Sequence, residues 1–200
     1  MAMSLERYTA IKGYSRVLAR ALDEKDAATR LHCERVIGLA TDLGRHCSLA
    51  PADLRHLRLA AALHDIGKIG IRDAVLHKPG KFDEDEWREM QTHSERGERI
   101  VRAIDVEGAQ AVADAVRCHH EDYGGGGYPD GLRGEAIPAI ARMVAIADAY
   151  DAMAEPRPYQ RRRSHAQVMA VLEDERGQRF DPWLLTRFGE MIDRSGWRTA

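Results

Sequence analysis

Apolar residues recur at the spacing of an α-helix along most of this chain, and this period limits the possible fold more than any other feature. Aromatic residues make up only 6% of the 200 residues, while Ala, Leu, Arg, Glu and Asp are plentiful, which favours helices over strands. We therefore predict an all-α protein. The predicted helices cover residues 4–23, 26–45, 51–64, 84–104 (as one helix or two), 108–120, 138–153, 164–176 and 182–193.

Two segments interrupt the helical pattern. Residues 122–138 hold six glycines and two prolines, so they are predicted to form a glycine-rich loop. Residues 65–82 contain two early glycines and then Pro79-Gly80, which predicts a loop with a short turn of helix. There is no internal repeat and no convincing strand pattern. The length suits a single domain.

Charge and composition narrow the classes of partner. The formal net charge is −2, so the strongly basic surface of a protein that binds polymeric nucleic acid is absent. The three cysteines show no CxxC spacing, and the opening MAMSLERYTA does not resemble a signal peptide. No apolar run approaches the ~20 residues that cross a bilayer. We predict a cytoplasmic protein that binds neither a membrane nor polymeric nucleic acid.

The clearest candidate for chemistry is the pair His64-Asp65, which ends an apolar helix and is followed by Lys68. An imidazole beside a carboxylate can face two metal ions, with the carboxylate bridging them and the imidazole holding one. Lys68 would offer a positive charge to a nearby phosphate. For the pair alone, a capped helix end is the simpler interpretation.

A second candidate is the pair His119-His120, which precedes Glu121 and the glycine-rich loop. Neighbouring side chains on a helix diverge by ~100°. Both imidazoles can therefore face one metal only where the helix ends and the backbone turns.

Three further candidates stand alone in the sequence. Asp148 lies among small and apolar residues, where a buried carboxylate needs a partner, either a metal or an arginine such as Arg142. His32 and His93 are single histidines, and each taken alone is more often a surface or core residue.

Ordered motifs connect these candidates along nearly the whole chain. They are Lys25-Asp26, Thr29, His32, Arg35-Val36, His64-Asp65-Ile66-Gly67-Lys68, His93, His119-His120-Glu121, Gly127-Tyr128-Pro129, Gly131-Leu132-Arg133-Gly134, Ile137-Pro138, Ala141-Arg142, Ala147-Asp148, Asp151-Ala152 and Arg157-Pro158-Tyr159. In this order the chain resembles the HD-GYP domain family over residues 22–195. Residues 1–21 would then form an N-terminal amphipathic helix.

The resemblance implies an all-helical, bacterial HD-superfamily phosphodiesterase that cleaves cyclic di-GMP to pGpG or GMP. It also implies two or three divalent metals, iron or manganese most often. Since members with three metals have a Glu where this chain has Ala28, we expect two. One metal would be held by His32, His64, Asp65 and Asp148, and the other by Asp65, His93, His119 and His120.

The resemblance also assigns roles around the substrate. Asp65 and Lys68 would be catalytic, with Lys68 offsetting charge on the phosphate. Arg157 would bind phosphate, and Tyr128 would shape the entrance to the site. Arg161 is expected to substitute for a basic residue that the family often has one position earlier.

Two departures from the family pattern keep other functions open. Gly124-Gly125 stands where the family usually has Asp-Gly, and Gln160 stands where it often has Lys or Arg. One alternative is a catalytically weak module that binds a cyclic dinucleotide and docks a diguanylate cyclase or adaptor protein. Another is an HD-type phosphohydrolase that acts on other nucleotides. The apolar stripe of the first helix predicts a homodimer.

Overall fold

The structure is a computed structural model that describes residues 13, 17–18, 20–22, 24–25, 29–104, 108–154 and 163–198. Within the last three ranges, nine α-helices and two short 3-10 helices form, and no strand occurs there, so the all-α prediction is confirmed. The 3-10 helices are Ile66–Gly70 and Gly134–Ala136. The α-helices are α1 (Thr29–His46), α2 (Pro51–Leu63), α3 (Asp73–Leu76), α4 (Glu84–Gln91), α5 (His93–Arg102), α6 (Ala109–Cys118), α7 (Ala139–Ala154), α8 (His165–Asp174) and α9 (Pro182–Ile192).

Side-chain caps determine where two of these helices begin. Before α4, Asp83 accepts a hydrogen bond from the Glu86 amide at 2.9 Å, and Glu86 accepts one from the Asp83 amide at 2.8 Å. Ser164 and Gln167 form the same reciprocal pair before α8. Each pair satisfies amides that a helix start leaves without partners, so the sequence itself specifies these boundaries.

Helix α7 lies at the centre of the fold and packs against α1, α2, α6, α8 and α9. Val144, Ile146 and Ala147 on this helix are fully buried. Asp148 follows directly, so the fold carries a carboxylate into the region where α1, α2 and α6 meet α7. The surrounding core includes Leu39, Leu43, Leu57, Leu63, Val116, Val168, Leu172 and Phe188.

Two details could not be fixed from the helical period alone. The segment 84–104 is two helices, because the chain breaks at Thr92, whose hydroxyl donates to the Glu89 carbonyl at 2.6 Å. The helix predicted over 108–120 ends at Cys118, so His119 and His120 lie in a turn.

The predicted N-terminal helix lies largely outside the described residues, although residues 13, 17–18 and 20–22 are helical. The domain boundary after residue 21 therefore stays a prediction. In the described part of the chain, no helix has both the length and the apolar character of a membrane span.

Candidate metal centre

One cluster joins three helices at the centre of the fold. It consists of His32 on α1, His64 directly after α2, and Asp148 on α7, whose candidate ligand atoms all lie within 4.8 Å of one another. Asp148 Oδ1 is 3.2 Å from His32 Nε2 and 3.9 Å from His64 Nε2. Two imidazoles and a carboxylate thus face one small volume.

A second cluster consists only of histidines. His93 is the first residue of α5, and His119 and His120 follow α6, with candidate ligand atoms again within 4.8 Å of one another. The turn after Cys118 lets the two neighbouring imidazoles converge, as predicted for a helix end.

Asp65 lies between the two clusters. Its Oδ2 is 3.5 Å from His64 Nε2, and its Oδ1 is 3.6 Å from His93 Nε2, so each carboxylate oxygen faces a different cluster. Lys68 Nζ donates to Oδ2 at 2.6 Å. The structure therefore brings together all seven predicted ligands, with Asp65 in the geometry of a shared one.

Backbone carbonyls orient three of the five imidazoles. The Nδ1 atoms of His64, His93 and His119 lie 2.9, 2.7 and 2.6 Å from the carbonyl oxygens of the residues three positions earlier. A carbonyl can only accept, so each Nδ1 carries the proton. Each Nε2 is left with a lone pair that points into the cluster, which is the tautomer a metal ligand requires.

The resulting donor set needs a cation. His64 Nε2 is buried without a hydrogen-bond partner, and the Nε2 atoms of His93 and His119 face each other at 3.3 Å. If both of these atoms are acceptors, they repel unless positive charge lies between them, and burying them unpaired is costly. Mixed imidazole and carboxylate donors suit iron, manganese or zinc, so the residues fit divalent metal ions.

His32 is oriented by Arg35 and Asp151, which stand among the ordered motifs of the sequence without an assigned role. Asp151 Oδ2 lies 2.7 Å from His32 Nδ1, and Arg35 Nε donates to Asp151 Oδ1 at 2.5 Å. Asp151 is buried and lies three positions after Asp148 on α7, so both carboxylates face α1. That spacing, together with the place of Asp151 in the ordered motifs, could have identified it as a partner of the site.

The protonation states follow from burial and from these neighbours. Burial lowers the pKa of His119 well below its usual value and lowers the pKa of His120 to about 3. For Asp65, burial opposes ionisation, but Lys68 and the surrounding imidazoles hold the carboxyl pKa well below its usual range. For His32, burial is outweighed by Asp148 and Asp151, which raise its pKa to about 9 in the absence of metal.

The alternative partner for Asp148 is excluded by the position of Arg142. Its guanidinium pairs with Asp181 and donates to the Ile137 carbonyl at 3.0 Å. The partners of Asp148 in the structure are His32 and His64 instead.

A cavity of about 420 Å³ opens beside the clusters. His119, His120 and Asp148 form part of its wall, together with Tyr128 of the glycine-rich loop. The cavity size falls in the range of small-molecule sites, roughly 300–1,000 Å³. Its other lining residues are Trp87, Gln91, Glu121, Asp122, Gly126, Gly127, Ala145 and Arg179. Glu121 and Gly127 belong to the ordered motifs, whereas Trp87, Gln91 and Arg179 carry no signal in the sequence.

The glycine-rich loop is fastened to the second cluster. Glu121 accepts hydrogen bonds from the amides of Asp130 at 2.6 Å and Leu132 at 2.9 Å. The Tyr128 ring stacks on His120, with ring centroids 4.8 Å apart. A Cβ on Gly127 would lie 2.2 Å from the Asp122 nitrogen, so only glycine permits this close return of the loop. Tyr128 is thereby held in the wall of the cavity.

The two predicted phosphate-binding arginines, Arg157 and Arg161, lie outside the described residues, and so do Ala28 and Gln160. Their proposed roles therefore rest on the sequence resemblance alone.

Comparisons with known proteins agree with the site. The HD domain family matches residues 16–184 of the chain. The chain is 42% identical over 165 residues to the cyclic di-GMP phosphodiesterase response regulator RpfG of Xanthomonas campestris pv. campestris, which covers 82% of this chain and 44% of the relative. It is 36% identical over 168 residues to 3′3′-cGAMP-specific phosphodiesterase 2 of Vibrio cholerae, which covers 84% of this chain and 32% of the relative. The chain thus spans less than half the length of these two relatives.

A solved structure shares the fold. The cyclic GMP-AMP specific phosphodiesterase V-cGAP3 of Vibrio cholerae superposes with a TM-score of 0.70 at 21% sequence identity. The match covers 90% of this chain and 48% of that chain. The helical arrangement around the clusters is therefore shared with that protein.

Proposed function

Because this chain belongs to the HD domain family and carries the HD-GYP motifs, we propose that it hydrolyses a phosphodiester bond of a cyclic dinucleotide with the help of divalent metals. The observation that carries the proposal is the position of Asp65, whose two carboxylate oxygens face two separate clusters beside a cavity of ligand size. The expected substrate is cyclic di-GMP, and the expected products are pGpG or GMP. The activities for which the two relatives are named support this substrate class.

Two metals, iron or manganese, would occupy the centre. When bound, the divalent cations polarise the phosphate and activate a water for attack on phosphorus. Asp65 would be a ligand of both ions. His32, His64 and Asp148 would complete one site, and His93, His119 and His120 the other.

The chain prepares this centre before any substrate arrives. The Lys68 ammonium favours the ionised form of Asp65, as a shared anionic ligand requires. The carbonyls behind His64, His93 and His119 fix the tautomers, so no proton has to move within these rings when a metal binds.

Lys68 has a second role in the proposal. Its ammonium group is partly exposed and lies 2.6 Å from Asp65 Oδ2. This is the carboxylate oxygen that faces the first cluster. From there it would offset the negative charge that develops on the phosphate oxygens in the transition state. Lys68 would therefore act on the reacting phosphate as well as on Asp65.

The cavity walls would bind the rest of the substrate. The Tyr128 ring stacks on His120. The half-exposed Trp87 packs against Tyr128 edge to face, with ring centroids 6.1 Å apart. Aromatic faces of this kind can stack on nucleobases. Arg157 and Arg161 would bind phosphate, as the resemblance implies.

Partners of the protein remain predictions. A diguanylate cyclase or adaptor protein would dock near the glycine-rich loop, and a second copy would pair through the first helix. Co-purification with a candidate cyclase and light scattering of the purified chain test these two predictions directly.

The activity is tested with protein loaded with Fe²⁺ or Mn²⁺, whose metal content is checked by elemental analysis. The protein is incubated with cyclic di-GMP and with 3′3′-cGAMP, and products are separated by chromatography. We expect turnover in the wild type and in the control Asp174→Asn, since Asp174 is exposed and outside the site. Asp65→Asn should lose about 100-fold or more, because even residues that only support metal ligands contribute 10–100-fold.

Three other outcomes would contradict the proposal in different ways. If metal-loaded protein binds cyclic dinucleotides without cleaving them, the chain is the catalytically weak binding module instead. Protein that cleaves mononucleotides instead is another HD-type phosphohydrolase. Equal activity of the wild type and Asp65→Asn would show that the reaction does not need the Asp65 carboxylate.

A further inference from the structure

Arg179 places a guanidinium group in the wall of the same cavity that His119, His120 and Asp148 line. We propose that Arg179 binds the second phosphate of a cyclic dinucleotide, the one that is not being cleaved. The inference rests on the proposed phosphodiesterase function and extends it to a specific contact with substrate. It explains how a centre that acts on one phosphodiester can favour ligands that contain two.

The lining of the cavity places Arg179 among acidic side chains. The described lining residues include Glu121, Asp122 and Asp148, and Arg179 is the one arginine or lysine among them. Glu121 is already engaged by two loop amides. A dianionic ligand with one phosphate at the metal centre would otherwise set its other phosphate against an acidic wall.

The guanidinium is available for such a contact. The Arg179 side chain is 47% exposed, and its contact with Glu175 is 3.5 Å long. Charge-assisted hydrogen bonds that hold a guanidinium firmly are shorter, about 2.7–2.9 Å. The Arg179 guanidinium also lies over the Phe180 ring at 5.2 Å. The Phe180 ring thus supports one face of the guanidinium, and the N–H donors can still exchange Glu175 for a phosphate. The forked geometry of a guanidinium matches a phosphate better than a lysine ammonium does.

The backbone beneath Arg179 is fixed to the glycine-rich loop. The Arg179 carbonyl accepts from the Tyr123 amide at 3.1 Å, and the Gln178 carbonyl accepts from the Gly124 amide at 2.6 Å. A Cβ on Gly124 would lie only 3.0 Å from the Gln178 oxygen. The glycine at 124, where the family usually has Asp, therefore permits the close approach that brings Arg179 to the cavity.

The contact can be isolated by comparing ligands with one and two phosphates. Hydrolysis of bis(p-nitrophenyl) phosphate, a diester with a single phosphate, serves as the common assay of the Mn²⁺-loaded protein. Cyclic di-GMP and GpG then compete in that assay. GpG carries the same two guanines but only one phosphate. The variants are Arg179→Ala and Arg179→Lys, with Arg187→Ala as the control, because Arg187 is a similarly exposed arginine that also lies over an aromatic ring outside the cavity.

We expect Arg179→Ala to raise the inhibition constant of cyclic di-GMP by about tenfold or more, the usual effect of losing a hydrogen bond to a charged group. The constants for GpG and bis(p-nitrophenyl) phosphate should not change. Arg179→Lys should restore part of the affinity, and Arg187→Ala should match the wild type.

Three results would overturn the inference. Equal losses for GpG and cyclic di-GMP would mean that Arg179 contacts a base. A loss of bis(p-nitrophenyl) phosphate turnover would mean that Arg179 supports the metal centre. Unchanged binding of cyclic di-GMP would mean that Arg179 contacts neither a base nor a phosphate of this ligand. A wild-type protein that hydrolyses no diester would instead contradict the proposed function, which this assay reports separately.

Discussion

At the scale of single residues, the site depends on groups outside the proposed set of metal ligands. His32 is held by Asp151, and Asp151 is held by Arg35 from the same helix as His32. Asp151 and Arg35 are 116 positions apart in the chain. The proposed metal ligand His32 is thus kept in a single orientation by a buried carboxylate.

This arrangement predicts the effect of Asp151→Asn. The variant keeps the size of the side chain but loses the charge that orients His32, so Mn²⁺ affinity should fall by about 10–100-fold. Titration calorimetry with Mn²⁺ measures the change, and Asp174→Asn is the control. Unchanged affinity in Asp151→Asn would show that the carboxylate only balances the charge of Arg35.

The residues of the two clusters could be predicted from the sequence at this scale, whereas the contacts that support them could not. His64-Asp65 and His119-His120 are adjacent pairs, and ordered motifs connect them to His32, His93 and Asp148. Trp87 and Arg179 lie outside these motifs, and nothing in the sequence shows that Arg35 and Asp151, which belong to them, pair beside His32. They meet the site only because the fold brings distant segments together.

At the scale of elements, close contact between two backbones positions Asp65 and Lys68. The 3-10 helix Ile66–Gly70 lies directly against the start of α5, and a Cβ on Gly67 would be 1.8 Å from the His93 carbonyl oxygen. Any side chain at this position would push the two segments apart. The same contact sets the distance between Asp65 and His93.

Gly67→Ala should therefore destabilise the metal-free protein by about 1–3 kcal/mol, the usual cost of overpacking. It should also weaken metal binding, because Asp65 moves away from His93. Urea denaturation and Mn²⁺ titration measure the two effects. Gly189→Ala is the matched control: its Cβ would meet only Met169 Cε at 3.7 Å, so it should stabilise α9 by up to about 1 kcal/mol. Equal stability of both variants would contradict the packing argument.

The start of α4 could be predicted because Asp83 and Glu86 form a capping box that is visible in the sequence. The break at Thr92 could not be, because both sides of it keep a helical pattern and neither glycine nor proline marks the position. The end of α6 at Cys118 agrees with the argument that two neighbouring imidazoles need a turn.

At the scale of the whole molecule, the fold encloses a set of imidazoles that must stay neutral. The class of the fold followed from the period of the apolar residues, but the central place of α7 did not. A period identifies the buried face of a helix and leaves its partners open. The proximity of the two clusters is therefore a property of the assembled fold.

This enclosure predicts a pH dependence for the metal-free protein. Burial lowers the folded-state pKa of His93, His119 and His120, the last to about 3, whereas the unfolded values are near 6.5. The unfolded chain then binds more protons below pH 6.5, so stability should fall as the pH falls. Each such imidazole contributes about 1.4 kcal/mol per pH unit in that window.

His32 acts in the opposite direction and in another window. Its pKa is raised to about 9, so its contribution is complete below pH 6.5 and is lost as the pH rises toward 9. Thermal denaturation in chelator from pH 5 to 9 should therefore show a maximum near neutrality. A melting temperature that rises steadily toward pH 5 would contradict this account of the buried histidines.

The central claim is that one carboxylate, Asp65, serves two metal positions. Anomalous diffraction from crystals of the Mn²⁺-loaded protein, recorded at the manganese absorption edge, tests it most directly. Two peaks are expected in each chain, both in contact with Asp65. One should lie beside His32, His64 and Asp148, and the other beside His93, His119 and His120. A single peak, or two peaks of which one does not touch Asp65, would contradict it.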